Sequence, residues 1–168
     1  MIFRLLGKTM NTSSITITPT KQDELEHLAQ LYVELYDALD IGEKWNVEKA
    51  VQLFEHYFQA YPELAFTARC DGKIVGAFLT AVKPWWDGYH LYDGEIFVHH
   101  DYQKYGAGRL LLKSVFEAAK EKYDAVCWDF FTFTGELSPV KWYQKIGIDV
   151  PKGFVMMTGS LDDALKKL

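Results

Sequence analysis

An apolar, β-prone run, Glu95-Ile96-Phe97-Val98, leads through His99-His100-Asp101-Tyr102-Gln103-Lys104-Tyr105 into two glycines, Gly106 and Gly108. An amphipathic stretch, Arg109-Leu110-Leu111-Leu112 onward, begins at once. A strand, a glycine-bearing loop and a helix N-terminus in that order form an anion site. The first-turn N–H groups of a helix have no intrahelical partner, and the helix dipole favours negative charge there. Gly106 and Gly108 carry no Cβ, so a phosphate can approach the backbone closely. Lys104 and Arg109 add positive charge at the same place. The residues describe a pyrophosphate-binding loop; the competing reading is a surface turn with incidental glycines.

The rest of the chain places that loop. Ser14 to Thr18 alternates and is β-branched, which predicts a strand. Pro19 ends it, and Thr20 with Asp23 resembles a capping box. Leu25, Leu28, Leu31, Tyr32, Leu35 and Leu39 fall at helical spacing, and Gly42 stops that helix. Asn46 can cap a second helix with the stripe Val47, Ala50, Val51, Phe54, Tyr57 and Phe58, closed by Pro62. Asp71-Gly72 between the apolar runs 64–70 and 73–81 is a hairpin signal. Lys83 to Gly88 reads as a loop, and Tyr89 to His99 as a further strand. A helix over 108–122 follows, then a buried strand over 125–131. Ser138-Pro139 opens a short helix that Gly147 ends. Phe154 to Leu161 reads as a last strand, and 162–168 as a terminal turn or helix. No repeat, low-complexity tract or linker breaks the chain. Residues 1–13 are expected to be an extension, possibly disordered, and 14–168 one domain.

With 168 residues, 49% of them hydrophobic, the chain can build one well-cored globular domain. Its formal net charge of −5 argues against nonspecific nucleic-acid binding, which relies on a basic footprint. No segment reaches the roughly 18 continuous apolar residues of a membrane span, and a cytoplasmic location is expected. Cys70 and Cys127 lie in strand-like runs and are expected to be buried thiols. They form no metal-ligand spacing. Neither do His27, His56, His90, His99 and His100, so no metal is expected.

Gln103-Lys104-Tyr105-Gly106-Ala107-Gly108 resembles the Q/R-x-x-G-x-G/A signature of the GNAT (Gcn5-related) N-acetyltransferases, in which this loop cradles the pyrophosphate of acetyl-CoA. The element order read above, β-α-α-β-β-β-α-β-α-β, is also that family's. The resemblance implies an α/β (α+β) GNAT fold, with a mixed sheet of six to seven strands flanked by about four helices. It implies acetyl-CoA as cofactor, held by Gln103, Lys104, Tyr105, Gly106, Ala107, Gly108 and Arg109, with Phe97 or Val98 donating a backbone N–H to the thioester carbonyl. Trp142-Tyr143-Gln144-Lys145-Ile146-Gly147-Ile148 resembles the family's later Tyr-bearing segment. Tyr143 would then contact the cofactor and protonate the leaving CoA thiolate; otherwise it is a packed aromatic. The chain departs from the pattern at Glu136, Pro139, Ile148 and His100.

An alkylammonium must lose a proton before it can attack a thioester, and a carboxylate is the usual base. Asp93 and Glu95 lie on the strand where the family often places it. Residues two apart share a strand face, unless a bulge at Gly94 intervenes. Glu95, Asp93 or a remote or solvent base remain open. Trp85, Trp86, Tyr92, Asp93 and Glu95 mix aromatic faces with carboxylates, which suits a cation. A hydrophobic loop under the sheet would explain the tryptophans equally. Residues 71–112 are moderately similar to the diamine (spermidine/spermine) acetyltransferases. Asp37, Asp40, Glu43 and Trp45 lie where the family often builds its substrate wall. The expected function is transfer of an acetyl group to a primary amine of a small cation (a polyamine, an aminoglycoside or an amino-acid derivative). A protein or peptide N-acetyltransferase and a non-catalytic acyl-CoA-binding module are the alternatives. A homodimer is expected on resemblance only. A Rossmann-type nucleotide site does not fit, because the loop follows an interior strand behind a hairpin.

Overall fold

A computed structural model describes residues 15–39, 42–135 and 138–168. The chain divides into two compact units, Met1–Asp129 and Phe130–Leu168.

The first unit is built on a five-stranded sheet in the order β1-β2-β3-β4-β5: β1 Ile15–Pro19, β2 Ala65–Cys70, β3 Lys73–Trp85, β4 Gly88–Val98 and β5 Cys127–Asp129. Among the described residues the sheet has five strands where six to seven were expected. The first four strands are antiparallel neighbours, and β5 runs parallel to β4. A parallel pair needs a crossover, and helix α3, Ala107–Tyr123, supplies it. Asp71-Gly72 makes the tight β2–β3 turn, both residues at positive φ, as the sequence predicts.

The stretch expected as a loop, Lys83 to Gly88, is mostly strand. Trp85 pairs with Gly88, so Trp86-Asp87 alone turns the β3–β4 hairpin. Pro84 is tolerated because β2 starts at Ala65, opposite Leu79. Beyond that point β3 is an edge on the β2 side, where a missing N–H breaks no ladder bond.

Helices α1, Leu25–Leu39, and α2, Val47–Ala60, pack on one sheet face, and α3 packs on the other. Strand alternation separates the two cores. Ala77, Leu79 and Phe97 join Leu28, Leu31, Tyr32, Ala50, Phe54 and Tyr57 on the α1/α2 side. Phe78 points the other way and meets Trp128, which meets Phe116 of α3. Asn46 caps α2 as predicted, its Oδ1 accepting from the Lys49 N–H at 2.9 Å. Thr20 does not cap α1. Its hydroxyl meets that of Thr67 at 2.9 Å, and a 3₁₀ turn, Gln22–Glu24, precedes the helix. Glu24 is buried because Arg69 pairs with its carboxylate and the Thr67 hydroxyl donates to it.

The second unit holds α4, Val140–Gln144, and α5, Leu161–Leu165. The expected last strand over 154–161 does not form, and Phe154, Val155 and Met157 are exposed. Among the described residues this unit contains no strand to pair with, so the β-prone composition has no ladder to join. The expected extension at 1–13 lies outside the described residues, as do Asp40 and Glu136.

Candidate active site

The site begins with an irregularity in β4. Leu79 pairs with Glu95 and Ala81 with Tyr92, so β4 spends one more residue than β3 over the same span. That is a β-bulge, and its residues Asp93 and Gly94 both have positive φ, 55° and 114°. Thr80 pins it: its hydroxyl lies 2.8 Å from the Asp93 carbonyl, which also accepts from the Trp128 indole N–H at 3.0 Å. The extra residue changes the facing rule. Tyr92 and Glu95, not Asp93 and Glu95, occupy register positions opposite two residues of one β3 face. The bulge at Gly94 is the one the sequence raised. It also ends the β4–β5 ladder, whose last pair is Tyr92 with Asp129. Residues 95–98 therefore have no strand on that edge among those described, and the edge that would carry a Phe97 or Val98 N–H donor is free of strand pairing.

Glu95 is turned into the α1/α2 side. Its Oε2 accepts from the Tyr32 hydroxyl at 2.9 Å and from the Tyr36 hydroxyl at 3.4 Å. Tyr32 and Tyr36 lie one helical turn apart, with rings stacked at 4.1 Å. Trp45, Phe54 and Phe97 each present an edge-on contact to Tyr32 at 5.3–5.4 Å. Burial raises the Glu95 pKa to about 7; Asp93 and Glu43 add to the rise, and the two tyrosine bonds oppose it. Burial likewise pushes Tyr32, Tyr36 and Tyr57 well above the ordinary phenol range, with Glu95 reinforcing the shift in all three. Asp93 is also raised, by burial. A carboxyl poised near neutrality, ringed by phenols that stay protonated, can take a proton from a bound ammonium.

The three tyrosines were not among the predicted site residues. Helical spacing places Tyr32 and Tyr57 on the apolar stripes, and both are buried; Tyr36 falls outside the stripe and is half-buried. The signal that separates Tyr32 and Tyr57 from leucine is the hydroxyl on an otherwise apolar stripe, which needs a buried partner.

The glycine loop has the predicted form. Gly106 is the N-cap of α3 in a left-handed conformation, φ 95°, and no side chain caps the helix. A Cβ on Gly106 would meet nothing within 4 Å, so the space beside this N-cap residue is open. Lys104 and Arg109 are exposed there, with Gly108 and Tyr105 partly buried and Ala107 buried. Gln103 folds back, its Nε2 donating to the Val98 carbonyl at 2.9 Å, and so ties the loop to the end of β4. An uncapped helix start with open space and two flanking cations fits a pyrophosphate. Replacing Gly106 by valine is expected to weaken CoA binding at least tenfold, because a branched side chain would fill that space and resist positive φ. Equilibrium dialysis against CoA checks this, and unchanged affinity would remove the loop from the cofactor site.

Tyr143 lies in the second unit, on α4, buried and packed edge-on against Phe130 at 4.8 Å. Burial pushes its pKa up to about 12. Ser138 accepts from the Val140 N–H at 3.3 Å, and Pro139 is the N-cap, one residue later than predicted.

The predicted aromatic–acid cluster is dispersed. Trp86 is 86% exposed at the hairpin turn. Trp85 and Tyr92 flank the chain's own Lys83, whose Nζ lies 4.4 and 4.2 Å from the two ring centroids. Asp37 is exposed on α1. Glu43 reaches the Trp45 indole N–H at 2.7 Å. Cys70 is buried as expected, but Cys127 is exposed: it faces away from the side on which Trp128 packs against Phe78 and Phe116.

A model of the acetyltransferase (GNAT) family matches residues 25–148. No curated protein matches the chain in sequence. Among solved structures, a possible acetyltransferase from Clostridium difficile 630 superposes with a TM-score of 0.71 at 11% identity, over 88% of this chain and 98% of that one. The ribosomal-protein-alanine N-acetyltransferase of Brucella melitensis biovar Abortus 2308 gives 0.66 at 19% identity, over 87% and 99%. An aminoglycoside acetyltransferase from an uncultured soil metagenomic sample gives 0.63 at 16% identity, over 88% and 99%. At such identities these structures speak for the fold. The family match spans most of the chain and includes both the bulged strand and the glycine loop: the protein belongs to the GNAT family of N-acetyltransferases, whose acyl donor is acetyl-CoA.

Proposed function

We propose that this chain acetylates a primary amine of a small cationic substrate, with Glu95 as the general base. The observation that carries the reading is the Glu95 carboxyl, held by Tyr32 and Tyr36 on the face of β4 beside the bulge, with a pKa near neutrality. Bound acetyl-CoA supplies an electrophilic thioester carbonyl. Gly106, Ala107, Gly108, Lys104 and Arg109 would hold its pyrophosphate. The substrate enters as an ammonium. Glu95 takes one proton, leaving a nitrogen lone pair free to attack. Tyr32 and Tyr36 keep the carboxylate oriented through both protonation states. Asp93 and Glu43 add negative charge near Glu95. This favours a small amine, of which di- and polyamines are one class. Tyr143, protonated at any working pH, is proposed to return a proton to the departing thiolate.

The test is an acetyl-CoA turnover assay that reads free thiol across polyamines, aminoglycosides, amino acids and short peptides. Turnover on a small amine supports the reading. Turnover on peptides alone would overturn the substrate class and leave the base assignment standing. Tyr143→Phe should lower kcat about 100-fold with little change in CoA affinity, in the range a positioned acid contributes. Equal kcat would take Tyr143 out of the chemistry.

A further inference from the structure

A second cluster of reactive side chains lies at the start of β4, the end remote from the glycine loop. Lys83 pairs across the sheet with His90, and His90 with Cys127; two residues along, Tyr92 pairs with Asp129. Registered neighbours share a sheet face, and so do residues two apart. Lys83, His90, Cys127 and Asp129 therefore stand together. A His90 ring nitrogen, the Cys127 thiol and an Asp129 carboxylate oxygen all lie within 4.8 Å of one another. The His90 residue is only 5% exposed. Its Nδ1 meets Asp129 Oδ2 at 2.8 Å and its Nε2 meets Asp87 Oδ1 at 2.8 Å. Carboxylates only accept, so a ring bonded to both is an imidazolium.

We propose that His90 Nδ1, Cys127 Sγ and the Asp129 carboxylate form a site for a divalent metal ion of the zinc class. Imidazole with thiolate is a donor set for zinc and its borderline neighbours, whereas magnesium and calcium take oxygen ligands. Metal-bound imidazoles generally donate their other N–H to a carboxylate, which fixes the ring. Asp87 already stands in that position. Tetrahedral bonds of about 2.0–2.2 Å to nitrogen and oxygen hold those two atoms roughly 3.4 Å apart. The 2.8 Å contact between His90 and Asp129 thus needs to open by only about half an ångström. Cys127 is exposed, which gives the ion an entry path and leaves a coordination position for water.

Binding moves protons and no electrons. The ion displaces the Nδ1 proton of the imidazolium and the thiol proton of Cys127, and both go to solvent. Lys83 Nζ lies 3.3 Å from Asp129 Oδ2 and is a second cation, beside the His90 imidazolium, on this carboxylate in the metal-free protein. It competes with the metal for Asp129. A bound ion would join β5 to β4 just before the bulge that positions Glu95.

Cobalt(II) tests the site, because a thiolate ligand gives it an intense near-ultraviolet charge-transfer band. The reduced, chelator-treated full-length chain should develop that band to saturation at one equivalent, and zinc should abolish it. Cys127→Ser lies at an exposed position, so the variant should melt like the metal-free parent and show no band. Asp87→Asn should weaken zinc affinity about 10- to 100-fold, the range for loss of an orienting carboxylate. Lys83→Met should strengthen it. His99, His100 and Asp101 form a second candidate group without sulfur, so the double variant His99→Ala/His100→Ala should keep the band. A parent protein without the band, or a band that survives in Cys127→Ser, would overturn the proposal.

Discussion

Glu95→Gln is expected to lower kcat by about 10²- to 10⁴-fold, the usual contribution of a positioned general base. Glutamine keeps the size of the side chain and can still accept from Tyr32 and Tyr36, so the loss measures proton transfer and not collapse of the pocket. The pH profile separates the two. In the parent, kcat/KM should rise through a limb near pH 7, where Glu95 ionises. A second limb, from the free amine, lies higher, near pH 10. The variant should lack the first limb and keep the second. A variant that retains the limb near pH 7 would assign it, and the base, to another group.

The same residue links pH to stability. Its pKa is raised in the folded state because burial penalises the charged form. Below the ordinary carboxyl range both folded and unfolded chains carry the proton, and Glu95 costs nothing as an ion. Between the ordinary value of 4.5 and about 7 the unfolded chain ionises first. The folded state then binds more protons, and stability falls as pH rises. Relative to the parent, Glu95→Gln should therefore gain melting temperature across this window and hold a constant advantage above it. Paired thermal melts over that range measure the difference.

Gly94→Ala is expected to damage the sheet severely at the bulge. A Cβ there would stand 2.6 Å from the Leu79 carbonyl oxygen, 2.7 Å from Thr80 Cβ and 2.8 Å from Thr80 Oγ1, at a φ of 114°. Two of these atoms belong to stiff or backbone groups, so relief requires the strands to part. A strained backbone costs about 1–3 kcal/mol and overpacking about 1–3 kcal/mol. The expected loss is roughly 2–6 kcal/mol, read as a lower denaturant midpoint with unchanged slope. Gly106→Ala is the control. Its φ of 95° is also positive, but the surrounding space is open, so only the backbone term, roughly 1–2 kcal/mol, applies. Equal losses for the two would show that the packing at the bulge is not tight.

Much of this molecule is legible in local chemistry. Asn46 caps α2 because a short acceptor side chain precedes a helical stripe, and Asp71-Gly72 turns because both residues tolerate positive φ. The form of the glycine loop is readable because it needs only a strand end, two residues without side chains and a helix start, all contiguous. Lys83 to Gly88 reads as a loop because proline and glycine punctuate it, yet most of it is strand. What permits Pro84 in a strand is the free edge left where β2 begins, a fact about another strand. The strand expected over 154–161 fails for the converse reason: its composition suits a sheet, but strand formation depends on a neighbour.

The active site divides along the same line. The resemblance to the family made Glu95 and Asp93 candidate bases, and Gly94 between them made a bulge plausible; the bulge is there. The sequence could not assign which residues meet Glu95. Tyr32 and Tyr36 stand 63 and 59 residues away, and only the packing of α1 on the sheet brings their hydroxyls to it. Nor could it foresee that Lys83 lies between Trp85 and Tyr92, or that His90, Cys127 and Asp129 share a corner of the sheet. Short-range patterns are set by backbone sterics and local hydrogen bonds, which a few neighbouring residues determine. Register and face, which decide the partners of every charged group, come from burying distant surfaces against one another.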